Sequence, residues 1–497
     1  MRSIKKGNCI LIVILLLLSN IVLISGENTL AEGYNIKPGE GMAITDVYEL
    51  QNIKSNPSAN YYLANDIDCS DTVNWNSGAG FAPIASFSGT LDGKGHEISN
   101  LYINRPSAFT VGLFGMILKG GSITNVHLRD FNVTGLEGVG TLAGGNRGVI
   151  SMCSATGVVN GTNTMIGGLI GVNQGYGYSF SDKVFPYKYG VITKSYSDVK
   201  VISPSPGLIG GLVGWNEWAW IDQSYSSGEV NVSGDVIGGL VGANMEGGKI
   251  SNCFAINPVT GDVNTGGLVG YSEGFVFNCF ATGFVNGGGG KGGLIGKNWG
   301  GTVIDCYWDN ETSGLTVSDG GIGINTTEMK KTSTFADAGW DLRDTWFSVD
   351  GMTYPYLRAF GGNGSQDQPF IIDDMEGLQE INSDLTAYYA LAQNIDASLT
   401  SQLDGGAGFL PIGNSSNPFT GGFYGNYHKI TDLFINRSMG DYIGLFGHVG
   451  PGSVITHLGL KNVNFIGYNH TGGLVGLFNG SYIAQCYASG SVIGNAY

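Results

Sequence analysis

Charge is what this 497-residue sequence has least of: Asp, Glu, Lys and Arg together make up 13%, about half the share of an ordinary soluble domain. The basic part is the smaller, with 24 Lys and Arg against 40 Asp and Glu and a net charge of −16. Phosphate backbones are bound through clustered Lys and Arg, so the chain is not expected to bind nucleic acid. Cysteine is limited to 7 residues with no CxxC pair, which excludes a zinc ribbon and a thioredoxin-type redox motif. The histidines are scattered without metal-ligand spacing, and neither a metal nor a cofactor is expected. Past the first 26 residues no apolar run approaches a membrane span, so the mature chain is expected to have none.

Glycine, by contrast, reaches 84 residues, and aromatic residues make up 11%. Disorder is excluded by the apolar surface available for burial, 42% of the residues. At the start, Arg2, Lys5 and Lys6 precede an apolar run from Cys9 to Ile24, followed by Ser25, Gly26 and Glu27. This is the order of a secretory signal peptide over residues 1–26, and it places the protein outside the cell or on its surface. An uncleaved anchor helix is the competing reading, since the run is close to a span in length.

Self-similarity organises the rest. A Gly-Gly-Leu-Val-Gly element ends at Gly171, Gly214, Gly242, Gly270, Gly296 and Gly476, with looser copies ending at Gly115, Gly144 and Gly447. From Gly115 to Gly296 the spacings are 29, 27, 43, 28, 28 and 26, so one unit is about 27 residues and the 43 marks an insertion. A strand of three to five residues between glycines is unstable alone, and stacking equivalent strands about 4.8 Å apart solves the problem. The expected fold is therefore all-β, a right-handed parallel β-helix with Leu169, Leu212, Leu240, Leu268 and Leu294 in one interior column. The flanking glycines are expected to supply corners with φ > 0. A second, incomplete copy follows: Phe87 to Arg105 reappears as Phe419 to Arg437 at an offset of 332. The expected organisation is a first β-helix with closing cap over 27–360, a linker over 361–368, and a truncated second β-helix over 369–497. The open last coil of that copy is expected to self-associate.

The Asn65-Asp66-Ile67-Asp68 element, the Phe87-to-Gly93 segment, the Gly-Gly-Leu-Val-Gly series and the stretch from Met329-Lys330-Lys331 to Tyr354-Pro355-Tyr356-Leu357 resemble the GLUG-repeat family of bacterial and archaeal surface proteins. The resemblance implies a β-helix on a secreted or wall-associated protein, in some members beside the metallopeptidase domain of an IgA-specific protease. His96-Glu97 lacks the second histidine one turn later that the zinc helix of such a peptidase requires.

Catalytic constellations are not apparent. Asp66, Asp68 and Asp71 have the spacing of a turn that caps the first coil, with a calcium site as the alternative. Asp92 and His96 lie close in sequence, but the second copy has Tyr424 and His428 there. Cys253, Cys279 and Cys306 should stack as buried free thiols, because in-register neighbours sit farther apart than a disulfide prefers. Asn146, Asn173, Asn216, Asn244 and Asn298 should stack as a structural amide column. Ten sequons make Asn132, Asn160, Asn231, Asn310, Asn325, Asn363, Asn414, Asn436, Asn469 and Asn479 candidate glycosylation sites.

One feature points to a ligand. The insertion after Asn173 carries Tyr176, Tyr178, Phe180, Phe185, Tyr187 and Tyr189, and the same turn of the next coil carries Trp215, Trp218 and Trp220. Flat rings at an outward corner suit sugar rings or a partner surface, whereas a local satellite core is the structural alternative. The functional expectation is an exported, non-enzymatic structural or adhesive scaffold that binds surface polysaccharide or an envelope protein. The alternatives are a carbohydrate-active β-helix enzyme and the non-catalytic stalk of a larger protease or adhesin.

Overall fold

A parallel strand repeats its neighbour's backbone one step along the axis, so side chains at equivalent positions of successive coils stand in columns. The computed structural model describes residues 41–175, 190–480 and 482–495. The expected signal peptide and Tyr176, Tyr178, Phe180, Phe185, Tyr187 and Tyr189 lie outside the described residues. From Ala43 onward the chain forms one compact unit. It is an all-β solenoid of about 14 turns of roughly 29 residues, about 47% strand and 11% helix.

Three parallel faces build the first and longer series of coils. One face runs from Asn60–Leu63 through Thr90–Asp92 and Trp220–Asp222 to Thr302–Ile304. Its central positions, Leu91, Ile123, Ile150, Ile192, Ile221, Ile250 and Val276, pair in register and are fully buried. β-Branched residues dominate because their stiff χ1 fits a pleated surface covered on its inner side. The second face runs from Ile84–Phe87 to Ile295–Asn298. At its entry corner Leu169, Leu212, Leu240, Leu268 and Leu294 form the expected column, each amide donating to the next leucine's carbonyl at 2.8 to 3.0 Å. Each such side chain contributes about 1.5–3 kcal/mol of burial.

The motif glycines do a different job from the one expected. Gly171, Gly214, Gly242, Gly270 and Gly296 have no left-handed φ. A Cβ there would strike backbone of the adjacent coil; at Gly214 it would meet the amide nitrogen of Ile166, and at Gly242 that of Ile209. The left-handed corner lies elsewhere, in a column of Asn125, Met152, Lys194, Gln223, Asn252, Asn278 and Asp305, with φ from 45° to 54°. This conformation costs an L-residue strain that the surrounding coil must overcome. The next residue supplies part of that support. Val126, Cys153, Ser195, Ser224, Cys253, Cys279 and Cys306 form a buried column in which the Ser and Cys side chains donate to the carbonyl two residues back, at 2.8 Å for Ser195 and Ser224 and 3.0 Å for Cys253 and Cys279. They also accept from the preceding coil: Cys153 N to Ser195 Oγ is 3.1 Å, and Cys253 N to Cys279 Sγ is 3.4 Å. All six described cysteines are free, and these thiols act as hydrogen-bonding equivalents of serine.

The asparagines form a side-chain ladder through the opposite corner. Asn146 Nδ2 donates to Asn173 Oδ1 at 2.8 Å, Asn173 to Asn216 at 2.9 Å, and Asn216 to Asn244 at 2.8 Å. Ser272 interrupts the column, and Asn298 instead donates to Gly301 O at 3.0 Å.

At its far end the first series meets Trp308, which takes the interior position that Ala255 and Ala281 hold in the two coils before it and fills the space beyond Gly293. The segment expected to close the coil lies along its side. On the third face Tyr196, Tyr225, Phe254 and Phe280 stack outward with centroids 4.7 to 5.1 Å apart and planes within 7° of parallel, and Tyr307 follows in register. Phe335, Trp340, Trp346, Leu357 and Phe360 cover this stack, Phe360 edge-on to Tyr196 and Tyr225. A ring column on an outer face exposes too much apolar surface to stay uncovered, which explains where the segment goes.

A second series runs from Phe370–Ile372 to Tyr487–Gly494 and opens as the first does. Gln51 clamps the backbone of Ala82 by two hydrogen bonds of 2.8 and 2.9 Å, and Gln379 clamps Leu410 in the same way at 3.1 Å. The offset here is 328, four fewer than in the later segment, so the two copies differ in length between Leu410 and Phe419.

The asparagine ladder yields a direct test. Asn216→Leu leaves an Asn173 donor and an Asn244 acceptor unsatisfied, and each such buried group costs about 1–3 kcal/mol. Chemical denaturation should show a loss of about 2 kcal/mol or more, with a clearly smaller loss for Asn298→Leu at the isolated position.

Candidate functional site

Of the nine aromatic residues proposed from the sequence as a ligand patch, Trp215, Trp218 and Trp220 are described. The alternation of a strand separates them. Asn216 and Ala219 point into the core, whereas Trp215 stands on the outer side of the second face between Val172 and Ala243. Trp218 occupies the corner itself with φ 51°, its amide donating to Glu246 O at 3.2 Å. Its indole lies over Gly247, where any side chain would overlap the ring. Trp220 opens the next face between Val191 and Lys249. All three are half-buried, so the expectation of freely exposed rings at the corner is corrected: each lies down on the neighbouring coil.

Trp220 covers a polar cluster that sequence reasoning did not single out. Its Nε1 donates to Ser251 Oγ at 2.8 Å, and Ser251 in turn donates to Asp222 Oδ1 at 2.7 Å. Asn252 Nδ2 reaches the same oxygen at 3.0 Å, and Gln223 Nε2 reaches Oδ2 at 3.3 Å. Lys249 Nζ sits 4.5 Å from the centroid of the Trp220 ring. Burial raises the Asp222 pKa and lowers that of Lys249, so desolvation outweighs their mutual attraction in both groups. The register explains why this was missed: Asp222 and Ser251 are 29 residues apart and become neighbours only because the coils stack. Beside Trp215, Arg147 donates to Gln174 Oε1 at 2.6 Å and Gln174 to Glu217 Oε2 at 2.9 Å, giving the corner a polar rail across three coils.

The other candidates resolve into local structure. His96 turns away from Asp92 and pairs through Nδ1 with Asp66 Oδ1 at 3.0 Å, while Asp92 accepts from Lys94 N and Asn125 Nδ2. Asp68 is occupied by Ser70 and Asn100. No group of three or more His, Cys, Asp or Glu is placed to hold a metal ion among the described residues. Among the sequons, Asn132, Asn231, Asn325, Asn363, Asn414, Asn436 and Asn479 are exposed, and Asn160, Asn310 and Asn469 are half-buried. Asn325, Asn363 and Asn414 accept backbone amides through Oδ1. No helix among the described residues is long and apolar enough to cross a membrane.

The buried carboxyl predicts a pH dependence. A folded-state pKa raised above the ordinary 3.8 gives stability that is complete below the unfolded value and is lost as pH rises through the folded one. Asp222→Asn removes this titration, so between about pH 4 and about pH 8 the denaturation midpoint of the variant should gain on that of the wild type. A difference that stays constant across this range contradicts the assignment.

No protein-family model matches the chain. It is 29% identical to halomucin of Haloquadratum walsbyi over 573 aligned positions, which cover 93% of this chain and 6% of that protein. A Gly-rich membrane protein of Evansella cellulosilytica is 38% identical over 124 residues, 24% of this chain and 14% of that one. An immunoglobulin A1 protease of Streptococcus sanguinis is 30% identical over 235 residues, 45% of this chain and 12% of that one. A crystal structure described as an immunoglobulin A1 protease of Bacteroides ovatus aligns over 65% of this chain and 94% of that chain, at 20% identity and a TM-score of 0.43. The chain thus spans between 6% and 14% of the length of these curated relatives, and what it shares with them is a segment of each.

Proposed function

We propose that the chain is an exported cell-surface scaffold of GLUG-type coils that acts without catalysis and offers its lateral surface to glycans or to a protein partner. The observation that carries this reading is the column architecture. Interior columns of Leu, Ile and Val, an amide ladder and a Ser/Cys column join the coils of the first series into one continuous stack. A solenoid of this kind holds an extended surface in fixed register, which is what presentation of repeated contacts requires. The names of two relatives, halomucin and a Gly-rich membrane protein, support a place at the cell surface. In this reading residues 1–26 are the export signal, 27–360 and 369–497 are two copies of the scaffold joined through 361–368, and the ten sequons are available for glycosylation. The aromatic corner at Trp215, Trp218 and Trp220, with the insertion residues before it, is the glycan- or partner-binding position.

A second reading has one specific support. Because the chain matches only a small part of each relative, including an immunoglobulin A1 protease, it serves equally as the stalk of a larger surface protein whose effector lies elsewhere.

The test uses the purified chain and a panel of neutral and acidic envelope polysaccharides. Retention on at least one polymer is expected, together with a loss of about tenfold or more, or about 1.4 kcal/mol, in a Trp218→Ala, Trp220→Ala double variant with an unchanged melting curve. Equal retention by both proteins removes the corner as the binding site. Release of new reducing ends or unsaturated sugars from any polymer overturns the non-catalytic reading.

A further inference from the structure

Away from the aromatic corner, the covering segment and the second series of coils enclose a cleft of about 820 Å³. Arg343, Arg358, Asp373, Gln393, Asn426 and His428 contribute to its walls. They come from three stretches of chain that meet only because the segment after the first series lies along its side. Asn426 Nδ2 donates to Ser348 O at 3.3 Å and ties the second series to that segment, and Tyr356 Oη donates to Pro369 O at 2.8 Å.

Arg358 is the organising residue. Its Nε donates to Trp346 O at 3.2 Å, and its guanidinium carbon lies 5.0 Å from the centroid of the Phe347 ring. The plane of the fork is therefore held from two sides, and the two Nη groups make no hydrogen bond among the described residues. The one carboxylate near them, Asp373, stands 3.6 Å from Nη1, longer than a charge-assisted hydrogen bond. Burial is unequal across this pair: the Arg358 side chain is 19% exposed and that of Asp373 is 58%. The cleft thus desolvates a cation and leaves the opposing anion in water.

The duplication supplies an independent argument. In the first copy His96 pairs with Asp66, whose Oδ1 also accepts Glu97 N at 3.0 Å. In the second copy Asn394 takes the place of that aspartate and accepts Lys429 N at 2.9 Å. The equivalent histidine, His428, has thereby lost its carboxylate and faces Arg358 instead; burial and that neighbouring charge hold its pKa below the ordinary value. Two cationic or proton-accepting groups converge on a space where the sister copy has an acid. Around them, the Gln393 and Asn426 amides each have one donor engaged, with Asp373 O and Ser348 O, and retain carbonyl oxygens that can accept hydroxyl hydrogens.

We propose that this cleft binds a uronate-type saccharide, its carboxylate on the Arg358 fork beside His428 and its ring hydroxyls on the Gln393 and Asn426 amides. The inference is independent of the Trp218 and Trp220 position, and failure at either leaves the other standing.

The experiment titrates the full chain with a galacturonate trimer, with the same trimer as its methyl ester, and with acetate, reading heat and the NMR signal of the His428 imidazole. The acidic trimer should bind at least about tenfold more tightly than the ester or acetate, and saturation should move the imidazole titration to higher pH. Arg358→Gln should weaken binding by at least about tenfold. His428→Glu places a fixed carboxylate in the cleft with Arg358 intact, and it should abolish binding even if the arginine variant is poorly folded. Equal binding of trimer and ester overturns the carboxylate assignment, and equal binding of acetate overturns the saccharide. No binding of the acidic trimer by the wild type, an unmoved His428 signal, or full affinity in His428→Glu overturns the site.

Discussion

The hydrogen bond from one coil's backbone to the next is the constraint on which everything else in this molecule rests. It fixes the step along the axis at about 4.8 Å and leaves no freedom of register. A side chain at a given position must therefore be compatible with its own counterpart above and below, and each column becomes a test of self-compatibility. Leucine and isoleucine pass it by interdigitation. Asparagine passes it because one amide is both donor and acceptor and can continue a chain without limit until a serine such as Ser272 stops it. Parallel aromatic rings pass it by stacking, but on the outer face they need a cover, and the segment through Trp340 and Trp346 provides one.

Self-compatibility also explains which parts of this architecture are readable from the sequence. Leu169 through Leu294 and Asn146 through Asn244 are single residue types at a constant spacing, so periodicity alone places them in columns. The left-handed corner escapes that logic because Asn125, Met152, Lys194, Gln223 and Asp305 share a backbone conformation and no chemistry. The motif glycines mislead for the opposite reason. Their regular spacing suggests turns, yet what each one lacks is a Cβ that would enter the next coil's backbone. The cluster of Trp220, Ser251 and Asp222 and the walls of the Arg358 cleft are legible only in three dimensions, since they depend on which coil stacks on which and on where the covering segment lies.

For function, the consequence is a division of labour between columns and exceptions. The columns keep the stack rigid and say little about partners. Chemistry that departs from the column pattern marks the places where the scaffold has something to present: tryptophans where the next coil has an alanine or a glycine, a buried acid on an outward face, and a histidine whose sister copy keeps the aspartate it has lost. Each is a local cost in packing or desolvation that the surrounding ladders can sustain.

Register over many coils is the central claim, and a distance between two residues of one column tests it most directly. Asn104 and Asn286 are 182 residues apart in sequence and belong to the outward column Asn104, Thr134, Asn160, Ile202, Asn231, Thr260 and Asn286. Six steps at about 4.8 Å give a separation of about 29 Å. Spin labels at these two positions, measured by pulsed dipolar spectroscopy, should give a single narrow distribution near that value after allowance for the label arms. A broad distribution, or a centre beyond about 45 Å, far from six strand steps, would contradict an in-register stack.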